Sequence, residues 1–362
     1  MRLLVSGYYG FGNLGDEAIL QVTVDELRRR HPALEIDVLS ARPPETAREL
    51  GVAATPRMVA RAVGRAIQAA DVVASGGGGL LQNATSTRSL LYYAAIIRQA
   101  AARGKPAMIF AQSIGPLDFL GRRIVTFCCR RVRRATVRDE RSRVMLSRLL
   151  PGVPIERTAD PVWLVAKPEA SFDLEAEGLG SGSEPLAVVC VRKIPRLERG
   201  VPVIAAVVDR LAERGAKVAF LPLGGASDAE ASTAIIRACR SAPTLLPAFS
   251  LQQAVSVIAR AEILIGMRLH APILAGVAGV PFIAIPYDPK VTALCEELAW
   301  PLPPLWDPQR RSGDIPAALK AVDRLWDERE ELRAHLSARV PRMQDLAKRN
   351  FDVLDELLDA QN

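Results

Sequence analysis

Between residues 261 and 291 the chain places an arginine, a histidine and a lysine where two apolar runs end. The runs, 262–266 and 281–286, predict buried strands of a parallel sheet. Arg268 and His270 follow the first run, and a small-residue segment of helical spacing continues through Gly276. Lys290 follows the second run in Tyr287-Asp288-Pro289-Lys290. In open α/β sheets ligands bind in the crevice outside the carboxyl ends of the strands. An arginine placed in so apolar a stretch would be costly without an anion to meet it. A histidine, with an ordinary pKa of about 6.5, suits phosphate binding or proton transfer equally. The expectation is an anion-binding active site.

A second set of candidates lies near the start. Gly10-x-Gly12-x-x-Gly15 matches the dinucleotide fingerprint between a strand and a helix. Asp16 and Glu17, however, occupy the helix start where a pyrophosphate would sit, and would repel it. The loop therefore reads as a tight turn, or as a hydroxyl-binding loop. In the latter, Gly12 and Asn13 line a sugar while Asp16 or Glu17 holds or deprotonates it. Gly77 and Gly78, within Gly76-Gly77-Gly78-Gly79, also follow a strand and either let backbone approach a ligand or make a sharp turn.

Arg138 ends a short apolar strand and precedes Asp139, a candidate helix cap, so it stands apart from the other arginines of 122–148. Those others read as a solvated helix face or as a patch for an anionic membrane surface. No interleaved aromatics are read there, so nucleic acid is not expected as a partner. Three histidines in unrelated contexts and five scattered cysteines give no metal-ligand spacing, and no metal or cofactor is expected.

The elements that must position these groups alternate. Strands are predicted at 2–7, 35–40, 71–75, 107–111, 135–138, 186–191 and 218–221, with helical segments between them. Alternation of this kind implies parallel, doubly wound sheets. With 362 residues, two domains are expected. We read an N-terminal Rossmann-like domain over 1–165, a Gly/Ser/acid-rich linker over 166–185, a C-terminal Rossmann-like domain over 186–314 and helices over 315–362. The fold class is α/β, with two such domains facing across a cleft. A net charge of +7 favours anionic partners. Unpaired cysteines and the lack of a signal-like or membrane-spanning run point to a cytoplasmic protein, peripheral at most to the inner face of a membrane.

Taken together, several motifs resemble the polysaccharide pyruvyl transferase family, in particular its bacterial cell-wall CsaB type. They are Gly10-Phe11-Gly12-Asn13-x-Gly15-Asp16-Glu17, Gly76-Gly77-Gly78-Gly79-Leu80-Leu81-Gln82, Gln112-Ser113-Ile114-Gly115-Pro116, Val137-Arg138-Asp139, Asp160-Pro161, Met267-Arg268-Leu269-His270-Ala271 and Tyr287-Asp288-Pro289-Lys290-Val291. One departure is Ala111-Gln112-Ser113, where a glycine-richer loop is expected. The resemblance implies a GT-B-like fold and transfer of pyruvate, as a cyclic ketal, from phosphoenolpyruvate to a sugar with release of phosphate. The implied acceptor is N-acetylmannosamine on a lipid-linked cell-wall polysaccharide precursor. Arg138, His270 and Lys290 would bind the phosphoenolpyruvate, with Arg268 as an addition.

The chemistry of the residues agrees. Phosphoenolpyruvate carries a phosphate and a carboxylate, and arginine suits two-pronged binding of such groups. His270 is the candidate general acid or phosphate ligand; Arg138, Arg268 and Lys290 would offset charge. The nearest alternative is a nucleotide-sugar glycosyltransferase on the same architecture, for which Glu262 and Glu296 would have to hold a ribose. A non-enzymatic basic module docking on an anionic membrane or polymer is the other.

Overall fold

The computed structural model describes residues 1–166, 184–308 and 314–361, and the structural statements below concern those residues. The expected linker falls almost wholly on 167–183, outside them. The chain divides into two compact units: Met1–Leu164 with Arg342–Asn362, and Val165–Pro341. The expected C-terminal helical segment therefore does not stand apart, because its last part belongs to the first unit.

In the first unit, β1 (Arg2–Tyr9), β2 (Glu35–Ser40), β3 (Ala53–Pro56), β4 (Val72–Gly78), β5 (Ala107–Gln112), β6 (Arg134–Val137) and β7 (Ile155–Arg157) form one sheet. All pair in parallel, in the order β3-β2-β1-β4-β5-β6-β7. The crossovers are α1 (Leu14–Arg30), α2 (Pro43–Leu50), α3 (Ala60–Ala69), α4 (Thr87–Ala102), α5 (Phe119–Cys129) and α6 (Glu140–Leu149). Side chains that alternate along each strand build a core on both faces. Leu4, Val73, Ile109 and Ala135 pack with α4 and α5 on one face. Leu3, Val5, Val72, Met108 and Phe110 pack on the other with α1 and with Phe351, Leu354 and Leu358 near the chain's end. Helix α1 carries Asp16 and Glu17 in its first turn and Arg28, Arg29 and Arg30 in its last, which suits its dipole at both ends.

The second unit repeats the plan with β8 (Leu186–Cys190), α7 (Val201–Glu213), β9 (Lys217–Phe220), α8 (Ala226–Ile236), β10 (Thr244–Leu245), α9 (Leu251–Ala259), β11 (Ala261–Gly266), α10 (His270–Ala278), β12 (Phe282–Ala284) and α11 (Pro289–Glu297). Its parallel sheet runs β10-β9-β8-β11-β12. Two helices close the chain, α12 (Ile315–Asp327) and α13 (Arg329–Asp359). Pro341, which has no N–H to give, lies inside α13 where the chain passes from one unit to the other. No helix among the described residues is long and apolar enough to cross a membrane. His335 is half-buried: its Nε2 lies 2.8 Å from the Leu298 carbonyl and its ring meets Trp300 edge-on.

In each sheet the strand order reverses beside the first strand, between β1 and β4 and between β8 and β11. The loops at those carboxyl ends are the ones the sequence singles out.

Candidate active site

In the first unit, the loop after β1 closes on its own helix. Glu17 Oε1 accepts hydrogen bonds from the backbone N–H groups of Gly10 (2.9 Å), Phe11 (3.2 Å) and Gly12 (3.3 Å). These are the donors that a dinucleotide-binding turn would offer a pyrophosphate, and here the chain's own carboxylate fills them. Burial pushes the Glu17 carboxyl above its ordinary pKa, against the opposing pull of those three N–H groups. Glu17 therefore anchors the loop. This revises its expected part as a base, since its oxygen is already committed.

Asn13 donates to Asp16, whose carboxylate lies against Gly78: a Cβ built there would come within 2.8 Å of Oδ1. Gly77 has φ +29°, and a Cβ on it would meet Ile19 Cγ2 at 2.2 Å. The β4 glycines are thus demanded by the packing of α1. Beneath them Tyr9 is fully buried; burial raises its phenol pKa well above the ordinary value, with Asp16 and Glu17 adding to the rise and Arg138 opposing it. Loop acids, Tyr9 and Arg138 therefore share one electrostatic neighbourhood.

Arg138 follows β6. Its Nη1 donates to Asp160, and its Nε (3.3 Å) and Nη2 (3.1 Å) to Ser113 Oγ. Three of a guanidinium's five N–H groups are so engaged, which fixes the plane of the fork. The side chain is only 6% exposed. Ser113 reaches it through an irregularity in β5, where Ala111 takes φ +47° and the register shifts between Ile109 and Gln112. An irregular strand end of this kind re-aims side chains, and it stands where a glycine-richer loop was expected. Asp139 caps α6 through the Ser142 N–H at 2.7 Å, as its position predicts.

In the second unit, β11 ends at Gly266 and α10 opens at His270, so Arg268 and His270 occupy the turn at the strand-order reversal. Arg268 grips the fully buried Asp228 on α8, with Nε to Oδ2 and Nη2 to Oδ1, the latter at 2.8 Å. The guanidinium lies so close over Gly224 that a Cβ there would come within 1.7 Å of Nη2. His270 sits half-buried at the positive end of the helix dipole. Beyond β12, Asp288 caps α11 through the Lys290 N–H at 3.0 Å, which sets Lys290 in the first turn of that helix.

Two arginines in strand-end positions were missed by the sequence reading. Arg192 follows β8, donates to the Tyr287 hydroxyl at 2.7 Å and stacks 5.1 Å from its ring. Burial raises the Tyr287 phenol pKa, while Arg192 and Arg268 both oppose the rise. Arg192 thus belongs with Arg268, and the rule that found Arg268, a charge just past a buried strand, would have found it. Arg57, after β3, is buried; it donates to the Gly7 carbonyl (3.0 Å) and the Tyr93 hydroxyl (3.1 Å) and lies 4.4 Å from the Tyr92 ring. Its sequence neighbourhood carries no strand-end signature of that strength. Glu262, weighed as a ribose ligand, instead pairs with Arg333 at 2.5 Å.

A sequence profile of the polysaccharide pyruvyl transferase family matches residues 13–289, a stretch that holds nearly all of these groups. The chain belongs to the polysaccharide pyruvyl transferase family. No curated protein matches its sequence significantly. Among solved structures, the UDP-GlcNAc 2-epimerase of Neisseria meningitidis bound to UDP-GlcNAc superposes with TM-score 0.65 at 11% identity, covering 99% of this chain and 100% of its own. The UDP complex of S. aureus MnaA gives 0.67 at 10% identity, with 99% and 97% covered. Sucrose-phosphate synthase from Thermosynechococcus elongatus gives 0.64 at 12%, with 99% and 100% covered. At these identities the likeness is one of fold. This pyruvyl transferase family member is built on the GT-B-like plan, α/β with two Rossmann-like domains.

Proposed function

We propose that this protein transfers pyruvate from phosphoenolpyruvate to two hydroxyls of one sugar on a lipid-linked cell-wall polysaccharide precursor, N-acetylmannosamine being the expected sugar. Membership of the family supports pyruvyl transfer to a polysaccharide. The observation that carries the donor is the turn after β11, where Arg268, fixed by Asp228, precedes His270 at the start of α10.

A trianionic donor needs fixed cations at both its phosphate and its carboxylate. In the proposal Arg268, Lys290 and Arg192 of the second unit meet the donor's anionic groups, and Arg138 is assigned to substrate binding as the family resemblance implies. A proton is delivered to the methylene carbon, and an oxocarbenium-like centre develops at C2. One sugar hydroxyl attacks C2, the C2–O bond to phosphate breaks, and the second hydroxyl closes the ketal. The two hydroxyl protons balance the methyl group formed and the phosphate released. His270 is assigned the proton transfer or the leaving phosphate. Gly12, Asn13, Asp16, Gly77 and Gly78 are assigned to the acceptor, with Glu17 holding their loop. The donor is a substrate, and no cofactor takes part.

Calorimetry with phosphoenolpyruvate and with UDP tests the reading. Binding of phosphoenolpyruvate that His270→Ala or Lys290→Ala weakens at least about tenfold, the loss of one charge-assisted bond, supports it. Binding of UDP with no response to phosphoenolpyruvate would replace it with a nucleotide-sugar glycosyltransferase.

A further inference from the structure

Helix α5 and the turn after it, residues 119–133, carry five arginines and no acid. The arrangement is more specific than a solvated basic face. Phe119, Leu120 and Phe127 are 75%, 55% and 51% exposed, large values for such side chains. The arginines lie over the rings: Arg123 is 5.4 Å from Phe119, and Arg98 of α4 and Arg130 are 4.1 and 5.5 Å from Phe127. This corrects the expectation that no aromatics interleave with the arginines. Arg98, Arg122, Arg123, Arg130, Arg131 and Arg133 are exposed, and among the described residues none has a carboxylate within 4 Å. Between α4 and α5 a cavity of about 200 Å³ is lined by Arg98, Phe127, Cys128, Arg130 and Arg131.

We propose that this face docks the protein on an anionic phospholipid bilayer, with a lipid phosphate seated among Arg98, Arg130 and Arg131 while Phe119, Leu120 and Phe127 enter the headgroup region. Exposed aromatic and aliphatic side chains with interspersed arginines are the composition of an interfacial helix. Guanidinium groups stacked over phenyl rings keep their outer N–H edges for phosphates. The lack of acids makes the surface complementary to anionic lipid and unfavourable for a basic partner. The face also lies where a lipid-linked acceptor would be presented. Asp118, which caps α5, donates its N–H to Asn83 Oδ1 at 3.1 Å, and Asn83 belongs to the loop that follows the β4 glycines. The docking itself stands on the surface alone; only its use in presenting the acceptor rests on the proposed function.

Co-flotation of the full chain with vesicles tests the proposal. Vesicles containing phosphatidylglycerol should carry the protein and pure phosphatidylcholine vesicles should not, with the bound fraction falling as salt rises. Each basic side chain near an anionic surface is worth roughly a fivefold factor, so Arg122→Ala with Arg123→Ala should weaken partitioning at least about tenfold. Arg122→Lys with Arg123→Lys should retain it, which separates loss of charge from loss of fold. Phe119→Ser with Phe127→Ser should weaken binding while leaving its salt dependence. Equal binding to neutral vesicles, absence from anionic ones, or displacement by inorganic phosphate alone would overturn it. So would tighter binding to a single-stranded oligonucleotide than to anionic vesicles.

Discussion

Replacing Asp228 with asparagine keeps the side chain's shape and removes the charge that holds Arg268. Both carboxylate oxygens of this fully buried residue are bonded to that guanidinium. Taking away one partner of a buried ion pair costs about 3–5 kcal/mol, because the other charge is left uncompensated. The asparagine oxygen can still accept one hydrogen bond, and Arg268 retains 14% exposure, so the lower end, about 3 kcal/mol, is expected. Urea unfolding followed by tryptophan fluorescence is the assay. Trp300, Trp306 and Trp326 lie in the second unit and only Trp163 in the first, so the signal reports mainly on the unit that is perturbed. With a slope of about 2–3 kcal/mol per molar urea, the midpoint should fall by about 1 M. Asp228→Leu combined with Arg268→Met should recover most of that loss, since the buried ion pair is then replaced by apolar side chains. A midpoint lowered by less than about 0.3 M in Asp228→Asn would refute the reasoning. A double variant less stable than the single one would refute it as well.

Two further predictions concern groups whose environment is fixed by hydrogen bonds. Burial alone would raise the pKa of Asp209, but bonds from the N–H and hydroxyl of Ser241 and from the backbone and side chain of Arg240 outweigh it and hold the carboxyl at about 2. A carboxyl depressed in the folded state contributes stability above its unfolded pKa of about 4 and loses it as pH falls towards about 2. Asp209→Asn should therefore cost about 2 kcal/mol at neutral pH, and the gap to wild type should shrink below about pH 4; a gap unchanged from neutral to acid contradicts the sign. Glu17→Ala should speed amide exchange at Gly10, Phe11 and Gly12 by about tenfold, the worth of one charge-assisted bond, without unfolding α1. Unchanged exchange there would show that Glu17 does not hold the loop.

The elements that position the candidate groups were legible because their periodicity is strong. Residues 35–40 read as a strand with the bounds the structure shows, and β11 differs only by starting one residue earlier. Missed strands are short or lie at a sheet edge: β3 at one rim of the first sheet, β7 at the other, and β10 at the rim of the second. Two- to four-residue strands have too few positions to display alternation. Among site residues, type and place were legible but partnership was not. Nothing local in the sequence pairs Arg268 with Asp228, forty positions away, or Arg138 with Asp160, which lies 22 positions on, beyond α6 and β7. Glu17 shows the limit most clearly. A glutamate at a helix start reads as free to act on a ligand, and only the folded loop reveals that its oxygen is taken by three N–H groups. Phe127 was passed over for a related reason, since a ring four positions after Arg123 looks like core until the helix is seen from its solvent side.

Phosphate release from phosphoenolpyruvate, followed with and without a lipid-linked saccharide and coupled to mass spectrometry of the saccharide, tests the central claim most directly. The account predicts release only when both substrates are present, with a pyruvyl ketal gained by the saccharide. It also predicts loss of both signals in His270→Ala at an unchanged urea midpoint. Release at the same rate without an acceptor, or wild-type turnover in the His270 variant, would contradict it.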